Sequence, residues 1–190
     1  MSSWKVTTGP SSEPITRNEA KLWLKVDTTA DDDLIDALIE SARTWVERHC
    51  NIGLLPQTIT QVYDSWPEGR EMELTITPLR AVSSITYLDS AGAEQTLSSG
   101  NYTVDSYQRP ARVQLKYSQT WPTLYDQVNS VSAVYTVGYD AASAIPGPVV
   151  TAMKLAIADA YENRQDYIKK MPTAAEYLLQ SSGERIWQFR

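Results

Sequence analysis

The chain has 190 residues, 42% of them hydrophobic, which suits one domain or a small domain with an insertion and is enough to form a core. Its formal charge is −6, divided as −3 over residues 1–57, −4 over 58–147 and +1 over 148–190, the reverse of the basic patch by which proteins grip nucleic-acid phosphates. One cysteine excludes an intramolecular disulfide and a multi-cysteine zinc site, the apolar runs fall far short of the ~20 residues that span a bilayer, and the start, MSSWKVTTGP, lacks the charged and apolar regions of a signal peptide.

The first dozen residues are polar and read as a mobile end. Ile15-Thr16-Arg17-Asn18-Glu19 reads as a capping box, with Thr16 at the N-cap, Glu19 three residues on and Ile15 as the hydrophobic staple of a short helix through Leu24. Asp31–Cys50 is the segment around which the chain is organised. Its apolar residues Leu34, Ile35, Leu38, Ile39, Ala42, Trp45 and Val46 keep the spacing of one broad helix face. Aspartates crowd its start and Arg48 and His49 its end, as the helix dipole favours, and Asn51 or Gly53 can supply the left-handed residue that stops it.

After Leu54-Leu55-Pro56 the period changes from 3.6 to 2. Met72, Leu74 and Ile76 alternate with polar neighbours, as do Val113, Leu115 and Tyr117; residues 131–139 read as the longest strand, and 58–64, 82–88 and 102–105 as weaker ones. Turn signals separate them at Pro67-Glu68-Gly69, Asp89–Gly92 and Ser99-Gly100-Asn101. Ile145-Pro146-Gly147-Pro148 then leads into a helix to about Tyr167, with Val149, Met153, Ala156, Ile157, Ala160 and Tyr161 on one face, and a shorter helix follows near 173–180. The expected fold is α+β: a helical bundle, N-terminal helices on C-terminal ones, with an inserted antiparallel β unit. It is divided as 1–57 N-terminal helices, 58–140 β insertion, 145–180 C-terminal helices and 181–190 flexible tail, within a single domain. Leu34, Leu38, Trp45, Met153 and Ile157 are the expected helix-packing core.

No catalytic, cofactor-binding or metal-binding residues are identified. His49 is the only histidine and lies on the apolar side of its helix, where a structural role outweighs a catalytic one. Cys50 beside it points about 100° away along the helix, so the two do not form a thiolate pair. Asp31-Asp32-Asp33 lacks the pattern and glycine of a calcium loop and is explained by the helix start. Neither a phosphate-binding Gly-rich loop nor a dinucleotide fingerprint is present.

The ordered set ITRNEAKLWLKVD, DDDLIDALIESARTWVE, LLPQTITQVYDSWP, ITPLRAVSSITYLDSAGAEQTL, NYTVD, PARVQLKY, VSAVYTVGY and AIPGPVVTAMKLAIADAYENR resembles the head–tail connector (adaptor) proteins of tailed bacteriophages, prophages and gene transfer agents. The resemblance covers residues 15–164, and its most telling parts are the LLPQT turn and the YTVGY strand end before the Pro-rich helix lead-in. It implies a structural protein without enzyme activity or cofactor, which forms a ring of commonly twelve copies beneath a portal protein. The ring extends the DNA channel and offers a platform to the next neck or tail-completion protein. DNA passes without being specifically bound, no membrane is involved, and assembly takes place in the bacterial cytoplasm before residence in the virion neck. Arg185, Ile186, Trp187, Phe189 and Arg190 form a tail expected to dock on the portal or on a neighbouring copy, because aromatic and Arg side chains are the usual interface anchors. A competing expectation is a small-ligand or carbohydrate-binding β module, with Trp66, Trp121 and Tyr125 as a stacking platform.

Overall fold

The computed structural model describes residues 2–163 and 173–182. The chain divides into two compact units and crosses between them three times: one unit takes the N-terminus to Pro10 with Pro56–Gly138, the other Ser11–Leu55 with the chain from Tyr139 onward.

The first unit is all β. Strands β1 (Ser2–Thr8), β2 (Gln57–Tyr63), β3 (Glu71–Leu74), β4 (Leu79–Leu88), β5 (Glu94–Thr96), β6 (Tyr102–Asp105), β7 (Ala111–Leu115) and β8 (Val131–Val137) form two antiparallel sheets. One has the order β1-β2-β8-β4-β5 and the other β3-β7-β6. Strict alternation in β2 and β8, each buried at every second residue, sets their register from Gln57 opposite Val137 to Tyr63 opposite Val131. Inward residues of both sheets, among them Ile59, Met72, Leu74, Ile85, Val113 and Tyr135, share one hydrophobic cluster. A polar thread runs through that core. The amide of Gln61 accepts from the Thr75 N–H (3.0 Å) and from the Tyr135 hydroxyl (2.7 Å) and donates to the Thr75 hydroxyl (2.9 Å), and Tyr63 donates to the Glu73 carbonyl. Burial pushes the Tyr63 and Tyr135 hydroxyls well above the ordinary tyrosine range, so both remain donors.

The second unit holds α1 (Arg17–Leu24), α2 (Asp32–Cys50), α3 (Gly147–Glu162) and α4 (Thr173–Ser181). Ile35, Ile39, Ala42 and Val46 of α2 meet Val149, Met153, Ala156 and Ile157 of α3, with Ala175 and Leu179 of α4 in the same cluster. Asn51 ends α2 in the left-handed conformation (φ 53°). The following turn is tied back through Glu47, whose carboxylate accepts the Leu54 N–H (3.0 Å) and faces Arg43 (3.1 Å).

This architecture corrects the expectation of a helical bundle carrying a β insertion. Among the described residues, four helices stand beside eight strands in two sheets, a mixed α+β fold rather than a bundle. The N-terminal segment, expected to be mobile, is β1. Ser-Ser-Trp-Lys-Val-Thr-Thr is exposed along nearly its whole length, so no apolar alternation marks it; its place comes from backbone pairing with β2. Likewise β5 is three exposed polar residues on the opposite edge. The longest strand is β4, ten residues including Pro-adjacent Leu79 and two register shifts that break its alternation, rather than the 131–139 segment.

Candidate interaction surfaces

The capping box at the start of α1 closes in both directions: the Thr16 hydroxyl accepts the Glu19 N–H (3.2 Å) and the Glu19 carboxylate accepts the Thr16 N–H (2.8 Å). The Thr16 hydroxyl, which also donates to that carboxylate (2.7 Å), and then the Thr16 N–H hold the Glu19 carboxyl below its ordinary pKa. The helix is then clamped to α2 by charge. Arg17 pairs with Asp36 and with Asp32 (3.3 Å), and Lys21 donates to Asp32 (2.6 Å) and to the Thr28 carbonyl (2.8 Å). Asp31, the N-cap of α2, accepts the Tyr161 hydroxyl from α3 (2.6 Å). Asp31 and Asp32, at the start of α2, are thereby committed to holding helices together. Among the described residues no group of three or more His, Cys, Asp or Glu side chains is placed to hold a metal ion.

So anchored, α1 turns only Ala20 fully inward. Leu22 is left 79% exposed and Trp23 45% exposed, with Lys154 of α3 lying 5.9 Å from the Trp23 ring centre. Asn18, Lys21, Leu22, Lys25, Val26 and Asp27 border a shallow hollow of about 640 Å3 on the outer side of α1. A second hollow, of about 550 Å3, lies where the chain before α1 meets α2, with Ile15, Ala37 and Ile39 in its wall and Glu13, Arg17, Asp36 and Glu40 among its polar lining.

In the β unit, Trp66 and Trp121 stack on each other at 4.5 Å with planes 10° apart. Their indole N–H groups donate to the carbonyls of Pro122 (2.8 Å) and Gly69 (2.9 Å). The two rings expected as a sugar platform therefore spend one face on each other and their polar atoms on the backbone, pinning the loop that follows β7. The same loop sets Tyr125 over Gly92, where the β4–β5 turn has φ of 80° and a side chain would be strained. Two tyrosines stand out in solvent: Tyr107 (98% exposed) at the tip of the β6–β7 hairpin, and Tyr117 (90%) just past β7. The hairpin tip is held by Asp105, which accepts the Tyr107 N–H (3.0 Å) and pairs with Arg112 (3.1 Å), which in turn reaches Glu71 (3.0 Å).

Of the helix-packing residues named from sequence, Met153 and Ile157 are fully buried in the helical core, Leu38 and Trp45 are partly buried against it, and Leu34 is half-buried. His49 stacks on Trp45 (5.3 Å), and Cys50 is buried. The tail residues Arg185, Ile186, Trp187, Phe189 and Arg190 lie outside the described residues. Sequence reasoning did not single out Leu22, Trp23 or Tyr107, and it counted Tyr117 with the apolar positions of a strand that in the structure ends at Leu115, leaving Tyr117 in solvent. Leu22 and Trp23 read as core because they adjoin Ala20 and Leu24. The hint against that is Lys21, Leu22 and Lys25 sharing one side of a helix only eight residues long.

The sequence profile of the family described as "Phage gp6-like head-tail connector protein" matches residues 15–181. Among solved structures, the chain is similar to one from "Neck of empty GTA particle computed with C6 symmetry", with a TM-score of 0.81 and 19% identity over 99% of this chain and 97% of that one. A chain from "Virion of native gene transfer agent (GTA) particle" gives a TM-score of 0.81 and 20% identity over 98% and 97%. One from "Neck of native GTA particle computed with C12 symmetry" gives 0.66 and 19% over 97% of each. At these identities the likeness establishes the fold. No curated protein matches the chain.

Proposed function

This chain belongs to the family of phage gp6-like head-tail connector proteins, and from that premise we propose that it is a ring-forming structural component of the neck of a phage or phage-like particle. It sits beneath the portal, lengthens the DNA channel and presents a platform to the next neck or tail-completion protein. The observation that carries this reading is the family match along 167 consecutive positions, residues 15–181. Similarity of fold to chains from neck assemblies treated with sixfold and twelvefold symmetry supports a ring of copies, about twelve in number by that likeness.

The electrostatics support the same role. A channel wall through which DNA must move quickly gains from weak phosphate affinity, and the chain carries −6. The same charge opposes bringing copies together, so the portal acts as the template on which the ring closes. The work is positional, with no bond made or broken. Assembly occurs in the bacterial cytoplasm and the finished ring resides in the virion.

The test is reconstitution. Portal-bearing, DNA-filled heads that lack a connector are incubated with the purified chain and imaged at the portal vertex. The reading expects ring-shaped density added below the portal and recovery of tail attachment. Heads unchanged at saturating protein would overturn it.

A further inference from the structure

We propose that α1 is the contact element between neighbouring copies, its outer Leu22–Lys25 face seating in the acidic hollow between the pre-α1 chain and α2 of the next copy; this rests on the ring reading above.

The first side of the contact is an apolar anchor beside a cation. Leu22 is 79% exposed on a helix otherwise tied firmly into its unit, and Trp23 next to it is 45% exposed. Lys25, exposed at the left-handed residue that ends α1, has no ion pair among the described residues. A large aliphatic side chain beside a lysine suits a partner surface that is apolar at its centre and acidic at its rim.

The second side has that character. Exposed Ala37 supplies the accessible apolar wall, with Ile15 and Ile39 buried beneath it. Around them the carboxylates outnumber the cations. Arg43 serves Glu13 (2.8 Å), Glu47 (3.1 Å) and, at 3.8 Å, the exposed Glu40; Arg17 is shared between Asp32 and Asp36. The hollow's own lining holds Glu13, Asp36 and Glu40 against Arg17, two carboxylates in excess, with Arg43 reaching Glu13 and Glu40 from outside that lining. Glu40 has the least cation of its own.

The two hollows have no lining residue in common. A copy can therefore use both at once, one toward each neighbour. Contacts between two different patches are heterologous and generate a ring when the rotation closes. A partner using both patches reciprocally would give a closed dimer, which the symmetric neck assemblies of similar fold do not favour.

Three full-length variants test this: Lys25→Glu, Glu40→Lys and the double exchange, each compared with the unaltered chain for rings formed on portal-bearing heads. Leu22→Ser serves as the variant that leaves charge alone. All three positions are solvent-facing, so far-ultraviolet circular dichroism should match the parent. Each single change is expected to weaken ring formation by about tenfold or more, as for an interface anchor, and the double exchange to recover most of it. Glu40→Cys mixed with Leu22→Cys is expected to yield disulfide-linked neighbours, Cys50 being buried. Rings that form normally in both single charge variants, or no rescue by the double exchange, would overturn the assignment of α1 while leaving the ring reading intact. Normal rings that no longer hold to the portal would assign the same face to the portal and overturn the copy-to-copy contact. Single copies of the unaltered chain bound to the portal without ring closure would instead sink the ring reading itself.

Discussion

Three residues decide how the helical unit begins and turns. Thr16 and Glu19 exchange side-chain and backbone hydrogen bonds at the start of α1, so Thr16→Ala should destabilise the unit by about 0.5–2 kcal/mol, measured by urea denaturation. Because the Glu19 carboxyl is held below its ordinary pKa, its contribution is fully present above the usual carboxylate range. It is lost as pH falls through the depressed value. The melting temperature should therefore fall more steeply on acidification in the parent than in Glu19→Gln, and parallel curves would show that the charge on Glu19 contributes nothing. Glu47 works at the other end of α2. Removing its carboxylate in Glu47→Ala leaves the Leu54 N–H and Arg43 without it and should cost about 1–3 kcal/mol, whereas Glu47→Gln, which still accepts the N–H, should recover part of the loss.

Among elements, helices were more legible in the sequence than strands, for a physical reason. A helix buries one face at 3.6-residue spacing and marks its ends chemically, so Thr16, Asp31, Asn51 and Pro148 stand out by residue type and position alone. Strand β6 was also legible at Tyr102–Asp105, as a weaker candidate set off by the Ser99-Gly100-Asn101 turn before it. The edge strands were not. Nothing in Ser2–Thr8 or Glu94–Thr96 is fully buried; apart from half-buried Trp4 packed on the core and a Thr7–Thr60 hydroxyl bond, what pairs them is main-chain hydrogen bonding that any sequence can make. The candidate contact face on α1 was illegible for the opposite reason: Leu22 and Trp23 look like core residues, and only the burial of Ala20 shows which way the helix turns. Where helices pack, the cost of truncation follows burial. Met153→Ala should lose about 2–5 kcal/mol by thermal or chemical denaturation, and Leu34→Ala, half-buried on α2, distinctly less. Equal losses would mean that the α2–α3 contact is not the centre of that core.

At the scale of the whole molecule, the chain combines two well-packed units, and it belongs to a family of head-tail connectors. Its net charge of −6 suits a wall that lets DNA pass, and its exposed aliphatic and aromatic side chains suit contact with protein. We also propose that residues 184–190, with Trp187 and Phe189 among them, act in docking rather than in stability. Deleting them should leave the melting temperature nearly unchanged and abolish attachment to portal-bearing heads; a large fall in melting temperature would place them in the core of the fold instead. The most direct measurement of the connector role is made in the producing cell. With the gene for this chain removed, electron microscopy should show DNA-filled heads and separate tails that do not join, and supplying the chain from a plasmid should restore joined particles. Tailed, DNA-transferring particles assembled in its absence would contradict the proposed role.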